Sequence, residues 1–504
     1  MARLAALLAA AGIPAPPYVD PEVRGLAYDS RRVEPGSLFV AVPGFHVDGH
    51  DFVEDAVSRG AAAVVGSREM RVPVPYVRVA DTRVALSALA CAFLGNPSRD
   101  LYVAGITGTD GKTTTATLLH AAWRGAGIAA GALTTVDWRA HDEVRANKTR
   151  QTTLEALELQ EHLGELHHAG CTHVALETSS HALELHRADH VTYHAAVYTK
   201  VTSEHLDVHG SRDAYLRAKA RLLGFVSSRD DGLAVLDATD DFALPLLLQI
   251  PVAERLTYSI DPRIGADLTA EDIDSAAAGV RFTAHTPWGS EGVQLQLPGR
   301  FNAANALAAM ATACASGVSL RDAITGMANL DRVTGRMERV DLGQPFAVVV
   351  DYAHTAESLE KVLRELRSAT AGRLWVVFGS AGERDLEKRP AMGAVAAQHA
   401  DVAVVTDEDP REEDRVRILE QIAGGAVAAG GRRDETVVVI PDRTEAIAYA
   451  IAHATAGDTV LCAGKGHEST LIIGRESLPW DERAAVEDAI RAHGRAEADQ
   501  LTRR

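Results

Sequence analysis

At 504 residues and 46% hydrophobic composition, the chain exceeds what one ordinary core holds, so about two to four globular domains are expected. Its 69 acidic against 51 basic residues give a formal charge of -18, a field that repels phosphate backbones and anionic lipid and argues against nucleic acid as a partner. Any anionic substrate must then be held by local lysines, arginines and helix N-termini, which makes individual basic residues informative.

The cysteines, Cys91, Cys171, Cys314 and Cys462, are scattered without zinc spacing, which fits a reduced, cytoplasmic compartment. No apolar run reaches the roughly 18 residues that span a bilayer, so membrane insertion is not expected. The opening "MARLAALLAAAGI" reads as a first helix rather than a signal peptide, because its positive region is minimal and its apolar run short.

Short β-branched runs alternate with alanine-rich helical stretches along the chain, the pattern of an α/β protein with parallel sheets. Three domains follow from the breaks. A first block covers 1–98 and ends at "LGNPSRD", where Asn, Pro and Ser interrupt a helix. A central block, 99–332, opens with the strand "LYVAGIT", passes through a glycine loop into a helix, and carries strands at "HVALETSS", "AAVYTKV" and "LAVLD". A third block, 333–494, repeats strand and helix from "FAVVVDYAH" through "LWVVFGSAG", "DVAVVTDEDP" and "TVVVIPD" to "TVLCAGKGHE", as in an open Rossmann-like sheet. The polar stretch 495–504 reads as a frayed tail.

The loop "GITGTDGKTTT", Gly105 to Thr115, lies between a buried strand and a helix, where backbone N–H groups and the helix dipole favour an anion. Lys112 adds a point charge for the β- and γ-phosphates of a nucleotide, and the hydroxyl of Thr113 or Thr114 can hold Mg²⁺. Ile106 stands where the usual P-loop spacing needs glycine. Further on, "ALETSSHALELHR" and "TKVTSEHLDVHGSRDAYLRAKARL" supply Glu177, His205, Asp207, His209 and Lys219, a set of hard oxygens plus imidazole that suits Mg²⁺ or else an ordinary polar surface.

The phosphate loop resembles the one shared by Mur ligases and folylpolyglutamate synthetases, with Asp110 where asparagine is more usual. "ETSSHALELHR", "HLDVHG…AK", "DSRRVEPGSLFVAVPG" at Asp29 to Gly44 and "GKGHE" at Gly464 to Glu468 extend the resemblance over all three blocks to the Mur ligase family, in particular its tripeptide-synthetase branch. The resemblance implies a central P-loop-type ATPase domain between a UDP-binding and an amino-acid-binding domain. It also implies ATP-dependent ligation of a diamino acid to a cytoplasmic UDP-sugar-dipeptide in peptidoglycan precursor synthesis, through an acyl phosphate, by a monomer acting on small molecules.

Carried onto this sequence, the family's ATP contacts fall on Gly108, Thr109, Asp110, Gly111, Lys112, Thr113, Thr114, Asn302, Asn305, Arg336 and Asp351. Mg²⁺ falls to Thr114, Glu177 and His205. Lys219 would be carbamylated to meet a metal, where its own sequence context fits a solvated helix lysine equally well. His354 joins Lys112, Lys219, His205 and Glu177 among the catalytic groups. The UDP-sugar-peptide falls to Ser30, His46, Thr152, Thr153, Ser179 and Arg187. Thr152 and Thr153 could equally cap the helix that follows. Leu185 replaces a glutamine common there.

The incoming amino acid falls to Arg384, Asp409, Arg411, Gly464 and Glu468. "TDEDPREED" resembles the family's DNPR segment, in which Arg411 would pair a distal carboxylate bidentately and so select meso-diaminopimelate. Asp409 in place of asparagine leaves lysine or ornithine as an alternative. Closure of the third block over ATP is expected. A folylpolyglutamate-synthetase-like ligase leaves the first block and "GKGHE" without a purpose. A silent nucleotide-binding scaffold leaves the phosphate-loop and metal residues without one.

Overall fold

The computed structural model describes residues 2–15, 20–44, 47–149, 151–202, 209–276, 278–383 and 385–502. The chain forms two compact units, Met1–Tyr258 with Ala311–Val318, and Ser259–Met310 with Ser319–Arg504. The expected boundary near residue 98 falls inside the first unit and that near 332 inside the second.

The first unit opens with a parallel four-stranded sheet, β1 (Gly25–Ala27), β2 (Ser37–Val40), β3 (Ala63–Gly66) and β4 (Tyr76–Arg78), in that order. The segment read as a linker forms a 3₁₀ turn, Pro97–Asp100, entered through Asn96 at φ 55°. A larger sheet follows, made of β5 (Tyr102–Thr107), β6 (Ala130–Leu133), β7 (Asp137–Ala140), β8 (Glu143–Ala146), β9 (His173–Glu177), β10 (Tyr193–Tyr198), β11 (Leu233–Asp237) and β12 (Glu254–Ser259).

Their order is β8-β7-β6-β9-β5-β10-β11-β12, all parallel except β7, which runs antiparallel to both β6 and β8 near one edge. Helices cover both faces of such a sheet, which is why β5 and β9 read as continuous apolar runs rather than alternating ones. From β5 the chain runs to β6 and β9 on one side and then crosses to β10 on the other. The crevice at the C-terminal end of β5 is therefore a topological switch point, where ligands of open α/β sheets bind.

The second unit carries an antiparallel meander, β13 (Leu268–Ala276), β14 (Gly279–Thr286) and β15 (Gly289–Leu295), which the sequence did not announce. Its main sheet contains β16 (Ala347–Asp351), β17 (Leu374–Phe378), β18 (Val402–Val405), β19 (Val437–Val439) and β20 (Thr459–Ala463). These run parallel in the order β16-β20-β17-β18-β19, each where an apolar run placed it, with the short strand Glu338–Arg339 antiparallel at one edge. Leu363, Phe378 and Ile422 fill one face of this sheet and Trp375, Ile447 and Val486 the other. The last helix, Glu482–Thr502, runs through the segment read as a tail.

Candidate active site

In the first unit the loop after β5 turns at Gly108 and Gly111 into helix Lys112–Gly125. Gly111, at φ 85°, occupies the N-cap without a side-chain cap, so the helix N-terminus presents backbone donors, as an anion requires. A Cβ on Gly108 would lie 1.8 Å from Thr199 Oγ1, so only glycine admits this approach of the β10 end to the loop. Thr199 fastens the loop by donating to the carbonyls of Thr107 (3.1 Å) and Asp110 (2.6 Å), and Thr109 N donates to Lys200 O (2.9 Å). Lys112 Nζ folds back onto the carbonyls of Gly108 (3.2 Å) and Thr109 (2.7 Å).

Glu177, the last residue of β9, is 1% exposed beside this loop. Its Oε2 accepts from Thr113 Oγ1 at 3.0 Å and from the backbone N–H of Thr135 at 2.8 Å. Lys219 is no solvated helix lysine. Helix Arg212–Ser227 carries it inward to 1% exposure, where Nζ donates to Gly108 O at 2.6 Å and lies 4.5 Å from the Tyr215 ring centre.

Thr114 is buried at the same helix N-terminus. The carboxylate and hydroxyls form a hard-oxygen donor set of the kind Mg²⁺ takes. His205 lies outside the described residues, and among those described no three His, Cys, Asp or Glu side chains form a metal cluster.

A second constellation adjoins Glu177. Thr153 Oγ1 donates to the Glu177 carbonyl (2.8 Å) and accepts from Ser179 N (3.0 Å), while Thr152 Oγ1 accepts from Thr135 Oγ1 (3.1 Å). Helix Ala156–His168 starts with Glu155 at its cap, so the two threonines do not cap it, correcting that alternative. Ser179 instead caps its own helix, accepting from Ala182 N.

Arg187 reaches Thr153 O (3.3 Å) and pairs with Glu155 (2.5 Å). Burial lowers its pKa against the pull of Glu155, and among the described residues its Nε has no hydrogen-bond partner. Ser30 is buried in a turn held to the same helix, because Tyr28 and Arg32 on either side of it both donate to Glu158 (2.9 and 2.6 Å). His46 lies outside the described residues.

In the second unit the ends of β16, β18 and β20 converge. Asp351 accepts from Met337 N (2.7 Å) and Ala353 N (2.8 Å), and its carbonyl accepts from Gly464 N (3.1 Å). Arg336 lies 4.7 Å from the Tyr352 ring centre, and His354 and His467 pack against the same ring. Burial, with Arg336, Lys465 and His354 adding to it, pushes His467 down to about 3. Asn302 donates to Pro298 O and accepts from Asn305 near the start of helix Phe301–Ala315.

Beyond β18, Arg411 takes a left-handed backbone at φ 55°, its N–H on Ile472 O (3.1 Å) and its carbonyl on Gly474 N (2.8 Å). Among the described residues its Nε has no hydrogen-bond partner, and its ion pair with Glu383 is stretched to 4.0 Å. Asp409 and Glu468 both contact Lys465. Arg384 lies outside the described residues.

With this geometry in view, the comparisons agree along the chain. The family descriptions "Mur ligase family, catalytic domain", "Mur ligase middle domain" and "Mur ligase, glutamate ligase domain" match residues 22–94, 106–313 and 335–466. The UDP-N-acetylmuramyl-tripeptide synthetase of Roseiflexus sp. (strain RS-1) is 46% identical, covering 94% of this chain and 96% of its own. This chain belongs to the Mur ligase family. A relative of this Mur ligase in Geobacillus kaustophilus (strain HTA426), named UDP-N-acetylmuramoyl-L-alanyl-D-glutamate--2,6-diaminopimelate ligase, is 43% identical over 94% of this chain and 96% of its own. A solved structure of that same name superposes with a TM-score of 0.66 at 32% identity, covering 94% of this chain and 95% of its own.

Buried ion pairs brace the strand-end loops of this Mur ligase. Arg443 is wholly buried, paired with Glu482 (2.5 Å), and donates to the carbonyls of Asp407 and Ala463, bracing the loops after β18 and β20. Arg389 is 0% exposed and clamps Glu413 with two 2.7 Å bonds, which holds that carboxyl down at about 2. Burial raises the pKa of Asp407 despite the nearby Arg415 and Arg443. A hydrophilic residue on an apolar helix face was the available signal for Arg443 and Lys219. Their partners are far away in sequence, which hid the pairing.

Proposed function

We propose that this Mur ligase joins meso-diaminopimelate to the D-glutamyl γ-carboxylate of UDP-N-acetylmuramoyl-L-alanyl-D-glutamate, with conversion of ATP to ADP and phosphate. ATP-driven amide formation in peptidoglycan precursor synthesis is the reaction of the family to which the chain belongs. The choice of diamino acid rests on Arg411: a left-handed backbone aims a guanidinium with an unused Nε and only a 4.0 Å carboxylate contact, which suits bidentate capture of a ligand carboxylate. Lysine and ornithine would offer it an ammonium instead.

The γ-carboxylate attacks the γ-phosphorus of ATP, ADP leaves, and the diamino acid's α-amine attacks the acyl phosphate, losing a proton as phosphate departs. The uncapped N-terminus of helix Lys112–Gly125 holds the phosphates, and Lys112, exchanging its loop carbonyls for them, neutralises the migrating group. Glu177 and the hydroxyls of Thr113 and Thr114, with His205, would hold Mg²⁺, which supplies further charge neutralisation when bound. Carbamylation of Lys219 would exchange its ammonium for a carboxylate while one N–H remains for Gly108.

Thr152, Thr153, Ser179 and Arg187 orient the peptide, with Ser30 and His46 at the UDP end. Asn302, Asn305, Arg336, Asp351 and His354 serve the nucleotide side. The three matched segments support three domains, 1–98, 99–332 and 333–494, with the substrates met as a monomer. Among the described residues no helix is long and apolar enough to cross a membrane, and nucleotide-linked substrates fit a cytoplasmic reaction. The folylpolyglutamate-synthetase reading gives way to relatives that carry tripeptide-forming names over nearly the whole chain.

ADP release measured with diaminopimelate, L-lysine and L-ornithine supplied separately tests this. Turnover at least ~10-fold better with diaminopimelate is expected from a discriminating charge contact. Preference for either monocarboxylic diamine would reject it.

A further inference from the structure

The charged cluster near Arg411 contains a cation that Mur-type recognition by Asp409, Arg411 and Glu468 does not itself account for. Lys465, in the loop after β20, is 0% exposed and donates to Asp409 Oδ1 at 2.8 Å and to Glu468 Oε2 at 2.5 Å. The backbone fixes all three: Ile472 N donates to the same Asp409 oxygen (2.9 Å), and Glu468 N donates to the Lys465 carbonyl (2.8 Å).

We propose that Lys465 is a positioning residue that sets amino-acid specificity by neutralising Asp409 and Glu468. A buried carboxylate keeps its charge only when paired. Two carboxylates against Arg411 alone would leave the cluster one charge negative, a field that draws the side-chain ammonium of lysine or ornithine. With Lys465 in place these four side chains sum to zero, and Arg411, only loosely paired with Glu383 at 4.0 Å, can address an anion. Asp409, where the family motif more often carries asparagine, is therefore an internal counter-ion and not the reader of a ligand ammonium.

This inference rests on the diamino-acid reading above, and the experiment separates the two. The ratio of kcat/KM for diaminopimelate to that for L-lysine is measured in wild type, K465M, K465R, D409N and the double variant K465M/D409N, each checked for native circular dichroism and thermal midpoint. Wild-type preference for lysine would reject diaminopimelate as substrate, and the change of ratio in K465M would still report on Lys465.

The expected result is a fall of about 10-fold or more in the ratio for K465M, carried by KM, with near-wild-type values in K465R and in the double variant, where one charge of each sign has been removed. A folded K465M whose ratio stays within about twofold of wild type, or whose loss D409N does not reverse, would overturn the proposal. If K465M does not fold, D409N alone decides. It leaves Lys465 with excess positive charge, so the ratio must rise, and an unchanged ratio would overturn the proposal.

Discussion

The ammonium of Lys219 and the carbonyl oxygen of Gly108, 111 residues apart in sequence, meet at 2.6 Å under the phosphate loop. Replacing Lys219 with methionine leaves that buried carbonyl only the longer bond from Lys112 Nζ (3.2 Å) and should destabilise the protein by about 1 kcal/mol. ADP release should fall much further than stability. Growth of the wild type under ¹³CO₂-equilibrated buffer should add a carbamate carbon signal by NMR that Lys219→Met lacks. A signal unchanged by the substitution would place any carbamate elsewhere.

Glu177 offers a separation of charge from shape. In Glu177→Gln the amide oxygen can still accept from Thr113 and Thr135, so the thermal midpoint should move little, the change being about 1 kcal/mol or less. The lost negative charge should cost on the order of 100-fold or more in turnover, as removal of a preorganised electrostatic group does. Activity within a few-fold of wild type would remove Glu177 from the chemistry.

The phosphate loop tolerates no side chain at Gly108, because a Cβ would sit 1.8 Å from Thr199 Oγ1. Gly108→Ala should abolish nucleotide binding in a calorimetric titration. Pairing it with Thr199→Ala should recover part of the affinity if the clash is the cause. No recovery would point to the backbone conformation itself.

Burial pushes His120 and His173 down to about 4 and His467 to about 3. Above the unfolded value of about 6.5 these rings are neutral in both states and add no pH dependence. Below it the unfolded chain binds protons that the fold refuses, so stability falls as pH drops from about 6.5 toward 4, by up to ~1.4 kcal/mol per pH unit for His120. The thermal midpoint followed from pH 7.5 to 4 should decline over that interval, and His120→Leu should flatten the decline. A midpoint that is level across the interval would contradict the burial argument.

The buried pair Arg443–Glu482 ties the last helix to the loops after β18 and β20. Glu482→Leu leaves a cation without its partner and should cost about 3–5 kcal/mol in denaturant titrations. The joint change with Arg443→Met should cost less than that. A joint loss equal to the sum of the two single losses would mean the pair is not coupled.

Periodicity and turn chemistry made much of the framework legible. Strands β5, β9, β10, β11 and β16 to β20 lie where short apolar runs placed them, since a strand buried on both faces has no room for alternation. The meander β13 to β15 was not foreseen: Val280, Phe282 and Ala284 do alternate with polar residues as a half-buried strand requires, but the polar, exposed stretches of β13 and β15 beside them masked that signal. Thr152 and Thr153 were candidates for the site only by resemblance, and locally they suited a helix cap that Glu155 occupies instead.

What the linear chain fixed was local chemistry: a glycine loop ending in Lys112 at a helix start, carboxylates and an arginine after strand ends, and a composition that repels nucleic acid. Those follow from residue type and near neighbours alone. The tertiary structure decided which charges are already spent. Lys465 meets Asp409 across 56 residues, Lys219 meets Gly108 and Arg443 meets Glu482. Each pairing depends on burial and on chain segments far apart in sequence, and whether a carboxylate can address a ligand depends on whether the fold has first supplied it with a cation.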